Sequence, residues 1–168
     1  FGRPKRYFER FALVVAGPQD GVPDRANVLR LTLPLHAVDA GALAAAAERW
    51  REALATLPRP ITVVMVGGPT RPYRLDAEVA RDLVTRTLAT TGDAGTLYVT
   101  TSRRTPARVV AALRESLPSS ALLYPWAPDG GPNPGLGLLA HGDRFVVTGD
   151  SVSMIMEVVG LGRPLCSL

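Results

Sequence analysis

The stretch ITVVMVGGPTRPYR, residues 61–74, decides the fold class. Its first six residues are an unbroken run of apolar and β-branched side chains, which is typical of a strand buried on both faces. Two glycines, a proline and a threonine follow and predict a turn. A helix is expected from Asp76 to about Thr90. The stretch therefore predicts a strand, a turn and a helix in succession.

The same pattern recurs toward the C-terminus. Further strands are expected at 96–101, 121–124, 144–148 and 164–168. Further helices are expected at 151–161 and after Thr105, which is predicted to cap a helix with Pro106 in its first position. Residues 126–137 are rich in Gly and Pro and predict a loop long enough to act as a lid. Buried strands alternating with helices predict a mainly parallel sheet in a Rossmann-like, three-layer α/β/α fold.

The segment before residue 61 carries weaker signals. Residues 11–16 are expected to form a buried strand and residues 27–31 a short one. A long helix is expected from an N-cap at Asp39 to about Leu57, because its alanine-rich start has high helix propensity.

Composition excludes several classes of protein. The 168 residues are 46% hydrophobic and 20% charged, which excludes intrinsic disorder, and no apolar run approaches the length of a membrane span. A single cysteine, Cys166, excludes a disulfide framework, and two histidines, His36 and His141, make a metal site unexpected. The net charge is +4, but Lys5 is the one lysine and basic residues do not interleave with aromatic ones, which argues against nucleic-acid binding.

Ligands of parallel sheets bind outside the carboxyl ends of the strands, so the chemistry is sought there. The first such loop carries Gly67, Gly68, Thr70 and Arg71. The glycines allow a backbone to approach closely, but the loop matches neither the Walker pattern nor G-x-G-x-x-G. A tight turn with solvated arginines explains it equally well.

The second loop, TTSRRTP at 100–106, stands before a predicted helix. Helix N-termini attract anions. Two adjacent arginines at a helix N-terminus interact unfavourably with the helix dipole, and a bound anion would offset that repulsion. An ordinary cap with surface charge is the alternative. The candidate residues are Thr101, Ser102, Arg103, Arg104 and Thr105.

The third segment, TGDSVSMIME at 148–157, opens the last helix. Helical spacing predicts that Val152, Ile155, Met156 and Val159 pack on the sheet and that Asp150, Ser153 and Glu157 share the opposite face. Ser151 and Ser153 would then seat a diphosphate, with Glu157 in reach of ribose hydroxyls. Asp150, as an N-cap, would compete for the same N–H groups, and a simple capped amphipathic helix is the alternative.

These motifs together resemble the mitochondrial-fission (elongated-mitochondria) family, a mainly bacterial group named after a plant member. The resemblance rests on GGPT at 67–70, TTSRRTP at 100–106 and VTGDSVSMIMEVVGLGRP at 147–164, and it covers about residues 27–168. Asn133-Pro134 and Leu35-His36 also resemble family positions.

The family is similar to two-domain glycosyltransferases of the B fold, which include nucleotide-sugar epimerases. The resemblance implies that residues 39–168 are a nucleotide-sugar-binding domain, truncated at its C-terminus, and that residues 1–38 are the tail of a preceding domain and the connection to it. The nucleotide-sugar would be the donor substrate, with no separate cofactor and no metal. By sequence alone Trp50 and Trp126 are expected to be packing residues, and facing a ligand is the alternative for Trp126, which opens the lid loop. A cytoplasmic or membrane-peripheral location is expected.

The resemblance also implies roles for individual residues. Arg103, Arg104, Ser151 and Ser153 would neutralise the diphosphate, and Glu157 would hold the ribose. Gly67, Gly68 and Thr70 would face the acceptor. The implied nucleotide-binding set is Gly67, Gly68, Thr70, Arg71, Thr101, Ser102, Arg103, Arg104, Thr105, Asn133, Asp150, Ser151, Ser153, Met154 and Glu157, with His36 as a catalytic candidate.

The alternative function uses the same fold without catalytic turnover. The plant member of the family is described as recruiting a fission GTPase, a role that requires no catalysis. A non-catalytic recruiting module therefore stands beside the glycosyltransferase-like enzyme and the nucleotide-sugar epimerase as an expected function.

Overall fold

The computed structural model describes residues 7–17, 20–32, 38–92 and 94–168. The chain divides into two compact units, one ending at Ala37 and the other beginning at Val38. The smaller unit contains a short 3-10 helix at Phe8–Arg10 and two parallel strands, β1 (Val14–Ala16) and β2 (Val28–Arg30).

Strand β1 differs from the buried strand predicted over 11–16. Val14 and Ala16 are buried, whereas Val15 is 46% exposed, because successive side chains of a strand point to opposite faces. Phe11 and Leu13 lie before the strand and are also exposed. The prediction that this apolar run is a strand buried on both faces is therefore wrong.

The larger unit alternates helices and strands. Its elements are α1 (Ala40–Ala55), β3 (Ile61–Val66), α2 (Ala77–Thr91), β4 (Thr96–Thr101), α3 (Ala107–Ser116), β5 (Leu122–Tyr124), α4 (Gly135–His141), β6 (Arg144–Val147), α5 (Val152–Gly160) and β7 (Leu165–Ser167). The five strands of this unit form one parallel sheet in the order β5-β4-β3-β6-β7. The Rossmann-like α/β/α prediction is confirmed.

Strand β3 lies at the centre of the sheet and separates two cores. Val64 and Val66 pack into a cluster with apolar residues of α2 and α3. Ile61, Val63 and Met65 pack into a second cluster with residues of α1, α4 and α5. All six residues of β3 are buried, because both faces of the strand are covered by helices.

Two of the predicted helix starts are confirmed and one apolar stripe is wrong. Asp39 accepts a hydrogen bond from the Ala42 N–H at the start of α1, and Asp76 caps α2 in the same way. On α5, Val152 and Val159 are exposed, and the residues that pack inward are Met154, Ile155, Val158 and Leu161. The helix is apolar nearly all round, so its sequence offers more than one candidate stripe.

Helix α4 lies partly where the sequence predicted a lid loop over 126–137. It begins at Gly135, whose N–H donates to Oδ1 of Asn133 at 2.8 Å. Its two helical glycines lower the intrinsic helix propensity, and packing against α1 overrides that preference. Gly137 lies so close to Trp50 of α1 that a Cβ there would meet the indole ring at 2.5 Å.

No helix in the described part of the chain is both long enough and apolar enough to cross a membrane.

We expect Gly137→Ala to destabilise the larger unit, because the added methyl group would force Trp50 and α1 away from α4. Overpacking of this kind costs roughly 1–3 kcal/mol. The matched control is Gly160→Ala at the end of α5, where a Cβ would meet nothing within 4 Å. Urea unfolding of both variants checks the prediction, and equal midpoints would contradict it.

Stability should also fall at acid pH through Asp143. Burial acts to raise its pKa, but the Ile61 N–H and the charges of Arg59 and Arg163 outweigh burial and lower the pKa. The Ile61 N–H and Arg59 Nη1 lie 2.6 Å and 2.8 Å from Asp143 Oδ2. A lowered pKa contributes stability that is present at neutral pH and is lost as pH falls through it.

The test is Asp143→Asn, which keeps an acceptor for Ile61 and removes the charge. We expect the variant to be less stable at pH 7, by under about 1 kcal/mol because the ion pair is partly exposed. The deficit should shrink as the pH approaches the lowered pKa. Thermal unfolding at pH 7, 5 and 3 measures the difference, and a constant deficit at all three values would contradict the assignment.

Candidate functional site

The carboxyl edge of the sheet has a topological switch point between β3 and β6. From β3 the chain proceeds outward through β4 to β5, and it then returns to place β6 on the other side of β3. Ligands of open α/β sheets bind in the crevice at such a point. The loops after β3, β4 and β6 meet there.

Two hydrogen bonds close the switch point from inside. The Gly67 N–H donates to Thr148 Oγ1, and the Gly68 N–H donates to Asp150 Oδ2, both at 2.8 Å. The Asp150 side chain is 4% exposed. The N–H groups of Gly67 and Gly68 are therefore occupied by the chain's own oxygens.

The glycines are required by these contacts. A Cβ on Gly67 would overlap the carboxylate of Asp150. A Cβ on Gly68 would lie 2.5 Å from the Cβ of Arg104 and 2.7 Å from its carbonyl oxygen. A close approach of backbone is therefore observed at Gly68, where the backbone is that of Arg104, whereas the group that lies against Gly67 is the side chain of Asp150.

Thr105 ties the second loop to β3 and does not cap α3. Its Oγ1 lies 3.1 Å from the Val66 carbonyl oxygen and 2.5 Å from that of Gly67, and it accepts from the Ser102 N–H at 2.9 Å. Pro106 occupies the N-cap position, and within the described residues no side chain bonds to that helix start. The predicted Thr105 cap, with Pro106 inside the helix, is therefore wrong.

Arg104 is also held within the protein. Its Nη1 donates to Thr70 Oγ1 at 2.7 Å, and its Nη2 lies 3.9 Å from Asp150 Oδ2. The guanidinium thus bridges the loop after β3 and the loop after β6. Arg71, predicted beside it, is exposed.

The start of α5 departs from the predicted cap. Ser151 is the N-cap, and in the described part of the chain no side chain caps the helix. Asp150 points to Gly68 and lies apart from Ser153, which is exposed, and from Glu157, which is partly buried. The predicted common face of Asp150, Ser153 and Glu157 is therefore wrong, because the chain turns between Asp150 and the helix.

A cavity of about 640 Å³ opens beside this cluster, at the carboxyl ends of β3 and β4. Six of the predicted binding residues line it: Thr101, Ser102, Arg103, Asn133, Met154 and Glu157. Nine others do not: Gly67, Gly68, Thr70, Arg71, Arg104, Thr105, Asp150, Ser151 and Ser153. The predicted set thus divides into six residues that line the cavity and nine that lie in or next to the loops after β3, β4 and β6.

Helix α1 supplies a wall that sequence reasoning missed. Ala42, Ala45, Ala46 and Arg49 line the cavity at the spacing i, i+3, i+4 and i+7, and Trp50 joins them. That periodicity was visible in the sequence, but the alanines indicated only helix propensity. Trp50, expected to pack, does so against Gly137 and also lines the cavity.

Trp126 lines the cavity as well, and its backbone N–H donates to Thr101 Oγ1 at 2.9 Å. His36 lies outside the described residues, so its catalytic candidacy stays a prediction. Among the described residues no group of three His, Cys, Asp or Glu side chains is arranged to hold a metal ion.

Comparison with known proteins identifies the family. A family model described as "Mitochondrial fission ELM1" matches residues 1–168. The chain belongs to the mitochondrial fission ELM1 family. It is 37% identical over 143 residues to "Mitochondrial fission protein ELM1" of Arabidopsis thaliana, covering 85% of this chain and 33% of that protein.

A second relative of this ELM1-family chain is bacterial. The chain is 27% identical over 108 residues to "Uncharacterized protein RP120" of Rickettsia prowazekii (strain Madrid E), covering 62% of this chain and 30% of that protein. The chain therefore spans about a third of the length of these curated relatives.

In this ELM1-family chain, Gly68→Ala should be destabilising by roughly 1–3 kcal/mol, because the new methyl group would collide with the backbone of Arg104. Gly149→Ala is the matched control, since a Cβ there makes only ordinary contacts at 3.7 Å or more. Unfolding midpoints in urea distinguish the two. A Gly68→Ala variant as stable as the control would show that the two loops are not held in this contact.

Proposed function

We propose that the chain is the nucleotide-sugar-binding domain of a glycosyltransferase-like protein of the B fold. One observation carries the proposal: a cavity of about 640 Å³ lies at the carboxyl edge of a Rossmann-like sheet and brings together six residues predicted to bind the nucleotide. The volume lies within the range of small-molecule sites, and the position agrees with the rule for open α/β sheets.

The diphosphate would bind where α5 meets the cavity. The first turn of α5 presents backbone N–H groups that no described side chain caps, and Met154 and Glu157 of the same helix line the cavity. Arg103 also lines it and pairs with no acid in the ranges that the structure describes. A guanidinium and a helix N-terminus together stabilise the charge of a leaving diphosphate.

Arg104, which the sequence assigned to the diphosphate, has a supporting role in this proposal. Because it is bonded to Thr70 and lies beside Asp150, it supports the loops that border the cavity. Glu157 is the carboxylate on the cavity wall, and carboxylates hold ribose hydroxyls in dinucleotide-binding sheets of this class. Transfer to an acceptor would need groups from a preceding domain.

A recruiting module without turnover is the second candidate, and the printed name of the Arabidopsis thaliana relative, a mitochondrial fission protein, favours it. A nucleotide-sugar epimerase is a third. Binding of a nucleotide diphosphate is required by the enzyme readings and not by the recruiting one, so binding is measured first.

The experiment is calorimetric titration of the folded chain with UDP, GDP, ADP and CDP. We expect at least one of them to bind. Arg103→Ala should weaken that binding roughly tenfold or more, because a hydrogen bond to a charged group is lost. Arg114→Ala, in the last turn of α3 and outside the cavity lining, is the matched control and should bind as the unaltered chain does.

The outcomes separate the candidates. Binding that Arg103→Ala weakens and Arg114→Ala does not supports the donor site, and turnover of a bound nucleotide-sugar then distinguishes transferase from epimerase. If none of the four nucleotides binds to a chain whose circular dichroism shows it folded, the donor-site proposal is overturned and the recruiting module takes its place.

A further inference from the structure

The cavity wall formed by α1 carries a cation whose role the proposed function leaves open. Arg49 lies one helical turn or more beyond three alanines, Ala42, Ala45 and Ala46, on the face of α1 that lines the cavity. In the described part of the chain Arg49 forms no ion pair, whereas Arg51, two residues further, pairs with Glu48. A guanidinium that faces a cavity without an acid partner is suited to bind an acceptor group of a ligand.

Asn133 and Thr101 of the cavity lining also offer donors. Asn133 Oδ1 already accepts from the Gly135 N–H, which leaves the side-chain N–H groups for a ligand. Thr101 Oγ1 already accepts from the Trp126 N–H, which leaves its O–H to donate. Arg49 and Arg103 are donors only. Apart from the Glu157 carboxylate, which the proposed function assigns to the ribose, these four side chains are complementary to a ligand rich in acceptors.

Nucleobases differ in this respect. Uracil presents two carbonyl oxygens, and guanine presents O6 and N7 side by side, the arrangement that a guanidinium contacts with two hydrogen bonds. Adenine and cytosine place an exocyclic amine at the corresponding edge, which would meet a guanidinium donor to donor. A guanidinium forms no hydrogen bond to an amine, so a cavity that presents one to the base favours keto bases over amino bases.

We infer that the cavity selects nucleotides with a keto base, uracil or guanine, and that Arg49 determines this specificity. The inference rests on the proposed function, because Arg103 is assigned there to the diphosphate and Arg49 is the remaining cation for the base. Trp50 and Trp126 supply aromatic surface for the ring, and the three alanines leave room for it.

The test compares UDP and GDP with ADP and CDP by calorimetric titration. We expect UDP or GDP to bind roughly tenfold or more tightly than both amino-base nucleotides. In Arg49→Ala the ratio should fall to within about threefold, because the discriminating donor is gone. Arg51→Ala, on the same helix but outside the cavity lining, should keep the ratio of the unaltered chain.

A second pair of variants locates the base against α1. Ala46→Leu places a larger side chain into the cavity and should weaken every nucleotide roughly tenfold. Ala44→Leu makes the same change on the exposed side of the helix, where the residue does not line the cavity, and should leave binding unchanged.

The results distinguish this inference from the proposed function. If ADP or CDP binds as tightly as UDP and GDP, or if Arg49→Ala keeps the preference, the specificity inference is overturned while the nucleotide site stands. Full affinity in Ala46→Leu would overturn the placement of the base against α1. If no nucleotide binds the folded chain, the proposed function and this inference both fail.

Discussion

The carboxylate of Asp150 is the group on which the arrangement of the carboxyl edge depends. It accepts the Gly68 N–H at 2.8 Å and lies 3.9 Å from a guanidinium nitrogen of Arg104. A nearly buried carboxylate requires such partners, because an uncompensated charge in the interior is strongly unfavourable. Three loops that follow three different strands are thereby held against one another, and the contacts require Gly67 beside the Asp150 carboxylate and Gly68 beside the Arg104 backbone.

This internal pairing occupies backbone donors of the loop after β3. The Gly67 N–H donates to Thr148 and the Gly68 N–H donates to Asp150, so neither N–H is available to a ligand. The open volume lies instead on the side of α1, α4 and the first turn of α5, where Arg49 and Arg103 face the cavity. The loops after β3 and β6 act as its support.

Membership of the mitochondrial fission ELM1 family and a Rossmann-like domain are compatible with a nucleotide-binding enzyme and with a recruiting protein. A fold hosts many functions, and the function resides in the site. The cavity, its cations and its aromatic walls are features that a nucleotide would use, and they are the reason for preferring the donor-site proposal. The chain spans about a third of the length of its curated relatives. An acceptor site in the whole protein is therefore part of the proposal.

The sequence by itself determined the layer architecture, the order of buried strands and helices, the N-cap at Asp39 and the start of α2 at Asp76. These features follow from local periodicity and capping chemistry, which act within a few residues. It also located the strand ends that border the cavity. Only the tertiary structure decided that Asp150 bonds to Gly68 and that Thr105 bonds to β3. Tertiary packing also formed α4 from a glycine-rich stretch and turned the alanine face of α1 toward the cavity. Those outcomes depend on contacts between segments far apart in the chain, which local sequence patterns do not encode.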